Sequence, residues 1–184
     1  MHAMSRPLTI VTFASALAAC SAMNLAGPGA IVTKSADVPA AIAAPSGARL
    51  ALTLKGAGLQ NYECRAKAEA GGYGWVFVAP EAVLRDKADA IVGKHYAGPT
   101  WEYGDGSKVS GKVIADVPAP QAGSIPWLLL QGTSASRSGT LDGVIYIQRT
   151  NTSGGIAPSD SCTSSTIGMK KATRYTADYL FYKR

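Results

Sequence analysis

The spacing of apolar side chains is the feature that most limits what this chain can fold into. Apolar residues alternate with polar ones along short runs such as Arg49 to Leu54 and Thr173 to Tyr182, as they do in strands with one buried face. No long segment follows the 3.6-residue period of a helix. Twenty glycines and ten prolines in 184 residues are typical of many turns. The sequence therefore predicts a mainly β domain, an antiparallel barrel or sandwich of about eight to ten short strands with at most one or two short helical turns.

Glycine and proline predict where these strands are interrupted. Gly56-Ala57-Gly58 is interpreted as a turn, and Pro80 to Leu84 as one helical turn that begins with proline. The Asp-Gly pair within Gly104 to Ser107 separates two strand-like runs, Thr100 to Tyr103 and Lys108 to Ile114. An Asp-Gly pair in that position is a strong hairpin signal.

The N-terminus has the pattern of an export signal. Arg6 precedes the apolar run Pro7 to Leu17, which is too short to span a bilayer as a mature helix. The sequence predicts a signal peptide over residues 1–19, a flexible Ala/Gly/Pro-rich tether over 20–44 and a single β domain over 45–184.

A lipid anchor is predicted at the end of this signal. Leu17-Ala18-Ala19-Cys20 resembles the bacterial lipobox, in which the cysteine is acylated and becomes the new N-terminus. Ser21, which is not Asp, favours outer-membrane sorting. The prediction is a palmitate-bearing lipoprotein anchored in the outer membrane, facing the periplasm or the cell surface. The alternative is an ordinary signal peptide cut nearby, with Cys20 incidental.

Two further cysteines, Cys64 and Cys162, predict one disulfide bond in an exported chain. A free, buried pair is the alternative. Two cysteines and one distant histidine form a poor zinc site, and no metal is predicted.

The charge pattern argues against nucleic acid as a partner. Eighteen Lys and Arg against twelve Asp and Glu give a net charge of +6, but the basic residues are scattered. Nucleic-acid binding needs a basic stripe interleaved with aromatic residues. A mild attraction to anionic lipid is the simpler consequence.

The stretch His95 to Ser107 concentrates unlike functional side chains. It contains the single histidine of the predicted mature chain together with Trp101, Glu102 and Asp105. We expect His95, Trp101, Glu102 and Asp105 to line a pocket for a small or sugar-like ligand. One histidine with two carboxylates would suit an oxygen-rich metal site. The simplest alternative is a histidine that bonds a backbone carbonyl and packs on an aromatic ring.

Catalysis by this histidine is a further alternative. His95 would act as a base beside Ser107, Ser110 or Ser124, but no Gly-x-Ser-x-Gly motif presents a nucleophile. The Gly56-Ala57-Gly58 stretch lacks the third glycine and the following helix of a dinucleotide site, so no cofactor is predicted.

Five longer motifs carry a resemblance to a known family: YECR at 62–65, APEA at 79–82, VGKHYAGPTWEYGDGSKVSG at 92–111, IPWLLL at 125–130 and YIQRTNTSGG at 146–155. Together they resemble the family catalogued as domain of unknown function 3455, over about Val38 to the C-terminus. The resemblance implies an exported or envelope-associated protein and assigns no catalytic residue.

Three functions follow as hypotheses. The first is an uncharacterised exported lipoprotein whose β domain binds a small molecule or an envelope partner. The second is an exported enzyme that uses His95 with Glu102 or Asp105. The third is a structural envelope component. A catalytic His95 would be exposed to solvent and close to a partner group, whereas a structural one would be buried and hydrogen-bonded.

Overall fold

The computed structural model describes residues 38–67 and 71–184, and its architecture is an eight-stranded antiparallel barrel. The strands are β1 (Arg49–Ala66), β2 (Tyr73–Arg85), β3 (Ile91–Tyr96), β4 (Thr100–Tyr103), β5 (Lys108–Val117), β6 (Trp127–Ser134), β7 (Tyr146–Gly154) and β8 (Lys170–Lys183). Two single 3-10 turns, Ala40–Ile42 and Ser164–Thr166, complete the described elements. The predicted mainly β fold is confirmed. The predicted signal peptide and Cys20 lie outside the described residues.

Each strand pairs with its neighbours in chain order, and the last strand pairs with the first. The β1–β8 register runs from Arg49 opposite Lys183 to Glu63 opposite Lys170, so these two long strands close the ring. Closure gives both outer strands a partner, and no sheet edge is left open. No helix in the described part of the chain is long and apolar enough to cross a membrane.

The turn predicted at Gly56-Ala57-Gly58 is wrong, because these residues lie inside β1. A Cβ atom on Gly56 would stand 2.5 Å from Cε2 of Tyr179, and one on Gly58 would stand 2.1 Å from the carbonyl oxygen of Glu81. These glycines therefore allow an aromatic ring and the neighbouring backbone to approach β1 closely. Glycine can therefore mark a close contact within a strand as well as a turn.

The helical turn predicted at Pro80 to Leu84 is also wrong, because this segment belongs to β2. Pro80 lies opposite Gln60, close to a bulge: Ala79 pairs with Asn61, but Phe77 pairs with Tyr62, which leaves Val78 without an opposite residue. Proline has no N–H for a regular ladder and is tolerated in strands near such bulges.

The hairpin predicted around Asp105 is confirmed: Trp101 pairs with Val109, and Gly106 has a φ of 83°. Asp105 and Ser107 also hold the β6–β7 loop. The Thr140 amide donates to Asp105 Oδ2 over 2.7 Å, and the Leu141 amide donates to Ser107 Oγ over 3.0 Å.

This loop closes one end of the barrel, which we call the packed end. The interior there consists of apolar side chains that are almost fully buried: Leu54, Leu84, Val109, Leu141, Val144, Ile147 and Phe181. At the opposite end, which we call the open end, β1 finishes and β2 begins.

The segment before β1 packs on the outside of the barrel. Ile42 is fully buried in a cluster with Trp127 and Leu129, whose side chains point away from the interior. Gln148 Nε2 donates to the carbonyl oxygen of Ile42 over 2.6 Å. Of the predicted tether over residues 20–44, the structure describes residues 38–44, and these lie against the wall.

The predicted disulfide between Cys64 and Cys162 is confirmed, with the two Cα atoms 5.5 Å apart. It joins the C-terminal end of β1 to the β7–β8 connection at the open end. The loop it closes spans 98 residues.

Replacing both Cys64 and Cys162 with serine should lower the free energy of unfolding by about 4–5 kcal/mol. A disulfide that closes a loop of this length raises the free energy of the unfolded chain by about that amount, because it reduces the conformational entropy of that chain. Urea unfolding with and without a reducing agent measures this. Reduced wild type should match the double variant, which should itself be insensitive to the reductant. Equal stability of oxidised wild type and the double variant would contradict the prediction.

Candidate functional site

The open end of the barrel contains a cavity of about 300 Å³. All eight strands, or the residues directly flanking them, contribute to its wall, so the cavity lies in the interior of the ring. Most of the wall is apolar: Phe77, Pro80, Pro99, Trp101, Val113, Ile125, Pro126, Leu128 and Leu130. The polar part of the wall consists of Gln60, Tyr62, His95, Arg149 and Tyr179.

His95 and Trp101 form a stacked pair in this wall. They lie directly opposite each other on β3 and β4, and their ring centroids are 4.2 Å apart at an interplanar angle of 10°. Tyr179 meets both rings edge-on. Gly111 leaves room for the indole, because a Cβ atom there would be 3.0 Å from Cζ3 of Trp101. The aromatic surface is therefore held rigidly by packing.

His95 is only 3% exposed, and its Nδ1 lies 2.9 Å from the carbonyl oxygen of Thr100. Since a carbonyl can only accept, Nδ1–H donates and Nε2 is left as an acceptor. Burial is the main cause that lowers the pKa of His95; the hydrogen bond with Thr100 raises it and the charge of Arg149 lowers it, and together they bring the pKa to about 4. The imidazole is therefore neutral at neutral pH.

Arg149 supplies the positive charge in the wall. Its Nε and Nη2 both donate to the carbonyl oxygen of Pro126, over 3.1 and 2.8 Å. Burial lowers the pKa of its guanidinium, which still remains charged. Burial raises the pKa of Tyr175 and Tyr179, whose hydroxyl oxygens are 3.1 Å apart, so both phenols stay neutral.

No carboxylate faces this arginine in the described part of the chain. None of the ion pairs found there includes Arg149, and neither Asp nor Glu is among the residues that line the cavity. Among the described lining residues, the cavity thus combines a mainly apolar wall and a few neutral polar groups with one positive charge, that of Arg149.

The structure separates the four residues predicted to form one pocket. His95 and Trp101 line the cavity, but Glu102 follows Trp101 on the strand and points to the opposite face. There Glu102 accepts from the hydroxyl of Tyr96 over 2.9 Å and lies 3.4 and 3.3 Å from the ammonium groups of Lys94 and Lys108. These contacts lower the pKa of Glu102.

Asp105 lies at the packed end, in the turn between β4 and β5. Hydrogen bonds from Ser107 and Thr140 lower the pKa of its carboxyl and give it a structural role. Ser107 is engaged with Asp105 and Leu141 in the same place. The set of one histidine with two carboxylates is therefore not assembled, and neither is a pair of His95 with Glu102 or Asp105.

Sequence reasoning missed Gln60, Tyr62, Arg149 and Tyr179 as lining residues. A signal for Arg149 was present, because it follows Ile145 and Ile147 at alternate positions of the sequence, on one face of a predicted strand where a charge is unexpected. A cation on an otherwise apolar strand face indicates either a protein partner or a ligand.

His95 should make folding depend on pH. Its folded pKa, about 4, is below the ordinary 6.5, so its contribution is present above pH 6.5 and is lost as pH falls towards 4. The loss should be on the order of 3 kcal/mol. Urea unfolding of wild type and His95→Gln between pH 7 and pH 4 measures it: the difference between the two proteins should change across this window. Parallel pH profiles would show that His95 carries no such linkage.

Comparison with known proteins gives a family and no activity. No curated protein and no solved structure matches the chain. A family model described as "Protein of unknown function (DUF3455)" matches residues 45–183, which include every strand of the barrel. The predicted resemblance is confirmed, and the chain belongs to the DUF3455 family of proteins of unknown function.

Proposed function

We propose that this protein binds a small organic molecule inside its barrel, as a lipid-anchored protein of the cell envelope. The observation that carries the proposal is the cavity of about 300 Å³ at the open end. Eight-stranded barrels are just wide enough for side chains to fill them or for one small ligand to bind. Here the packed end follows the first pattern and the open end follows the second.

The composition of the wall supports a small-molecule site. Such sites are mainly apolar and aromatic, with a few polar groups that fix the orientation of the ligand. The stacked His95–Trp101 pair offers a flat surface, and Arg149 is the charged group. The volume equals roughly ten water molecules at liquid density, which suits a compound with one ring and a short substituent.

The mouth of the cavity is apolar. Phe77 and Val113 both line the cavity, and each is about half exposed, at 48% and 47%. Phe77 also meets the ring of Tyr62 edge-on, with 5.8 Å between centroids. An exposed apolar rim beside a cavity favours the entry of a ligand that carries apolar surface.

Binding is better supported than acid–base catalysis. A general base needs a pKa near the working pH and a group within hydrogen-bond reach. His95 has a pKa of about 4 and bonds a backbone carbonyl, and the two carboxylates of the catalytic hypothesis lie elsewhere. Its role in the proposal is to stack and to accept a hydrogen bond.

Export is supported by the bond between Cys64 and Cys162, because disulfides form and persist mainly in oxidising compartments. The anchor in this proposal is an acyl chain on Cys20, which places the barrel at the outer membrane. Labelled palmitate should be incorporated by wild type and not by Cys20→Ala. Incorporation of palmitate by both proteins would show that Cys20 is not the acylated residue.

Filling the cavity should weaken binding. Val113→Trp places a large ring at a residue of the wall, whereas Ile114→Trp changes the next residue, which is equally exposed at 48% and does not line the cavity. With benzyl alcohol, benzylamine and benzoate as probes, calorimetry should show at least one ligand for wild type. We expect about tenfold or weaker affinity for Val113→Trp and unchanged affinity for Ile114→Trp. Failure of all three probes, or equal binding by the two variants, would contradict the proposal.

A further inference from the structure

We propose that the ligand is a small organic monoanion whose carboxylate binds Arg149 and whose apolar or aromatic body lies against Trp101 and Leu128. This inference rests on the proposed function, and it adds the charge class of the ligand. The geometry points to it because a fixed, partly buried guanidinium shares an interior cavity with an apolar wall.

The guanidinium of Arg149 is already held in place and still has donors to spare. A guanidinium has five N–H groups, and two of those of Arg149 donate to the carbonyl oxygen of Pro126. Three N–H groups remain for the nearby phenol of Tyr179 and for a ligand. Because Pro126 already fixes the group, little rotational freedom is lost when a carboxylate binds to the remaining donors.

Arg149 has no counter-charge among the described residues that line the cavity. A charge that is withdrawn from water is normally paired, and arginine cannot neutralise itself by losing a proton. The titratable groups around Arg149 are His95, Tyr62, Tyr175 and Tyr179, all of which are neutral near pH 7. No described residue that lines the cavity carries a negative charge, so a bound anion would supply the counter-charge of Arg149.

The phenol of Tyr179 can act as a second donor beside Arg149. The hydroxyl groups of Tyr175 and Tyr179 are hydrogen-bonded to each other, which uses one of their two hydrogens. When Tyr175 is the donor of that bond, the hydrogen of the Tyr179 hydroxyl is left for a further acceptor, and Tyr179 lines the cavity. A carboxylate has two oxygens and accepts from an arginine and a phenol together.

The wall also limits the charge and the size of the ligand. Arg149 is the one Lys or Arg among the described lining residues, so a single negative charge is matched and a phosphate dianion is not. Cationic ligands would be repelled by the same group. The volume of about 300 Å³ restricts the body to about one ring.

The experiment compares three one-ring probes on the full, disulfide-bonded chain: benzoate, its neutral isostere benzamide and the cation benzylamine. Titration calorimetry at pH 7 should show that the protein binds benzoate with about ten- to hundredfold higher affinity than benzamide, as expected for a charge-assisted hydrogen bond. Benzylamine should be weaker than benzamide.

Arg149→Met should reduce the affinity for benzoate by about the same factor and leave that for benzamide unchanged. Arg174→Met is the matched control, because Arg174 lies outside the cavity wall, and it should bind all three probes as wild type does. Arg149→Lys keeps the charge without the planar fork and should give an intermediate affinity. The wild-type comparison needs no variant and stands even if Arg149→Met is unstable.

The outcomes separate the two proposals. Equal affinities for benzoate and benzamide, or a loss in Arg149→Met that is the same for both, would overturn the anion while leaving a small-molecule site. No binding of any of the three probes would overturn the site itself, and the anion with it. A benzoate preference that Arg149→Met removes supports both.

Discussion

The pairing of β1 with β8 is the interaction on which the rest of the structure depends. These two strands are the longest in the described chain, and their register extends from Arg49 to Glu63 along β1. Their hydrogen bonds turn a meander into a ring and so create an interior. Closure requires β1 to curve between its two neighbours, which is why Gly56 and Gly58 lie where a side chain would collide with β8 and β2.

The two ends of the closed ring differ in how their interiors are filled. At the packed end, Asp105 and Ser107 bind the β6–β7 loop, and large apolar side chains such as Leu141 and Phe181 fill the space. At the open end, the interior side chains include Arg149 and a stacked His95–Trp101 pair, and a cavity remains. The disulfide fastens β1 to the β7–β8 connection at this end. Most of the residues that line the cavity thus lie on strands, and the others directly precede a strand.

The β class, the Asp-Gly hairpin and the disulfide could be predicted from the sequence because each depends on local spacing or on the number of cysteines. The length of β1 could not be predicted, because Gly56 and Gly58 have the composition of a turn. Glycine is needed at these positions because the ring of Tyr179 and the backbone of Glu81, both distant in sequence, pack closely against β1. Of the four residues predicted to line a pocket, His95 and Trp101 line the cavity. Glu102 was misplaced because adjacent strand residues face opposite sides, a consequence of the period of two. Arg149 and Tyr179 join the site only through ring closure.

The ring of strands encloses a cavity, and among the described lining residues Arg149 is the one charged group. We propose that a small organic anion binds there. The most direct measurement is a crystal structure of the protein soaked with 4-iodobenzoate, in which the iodine is located by its anomalous scattering. The account predicts one strong iodine peak inside the barrel beside Trp101, with the carboxylate against Arg149. A cavity that side chains fill, or iodine bound only on the outer surface, would contradict it.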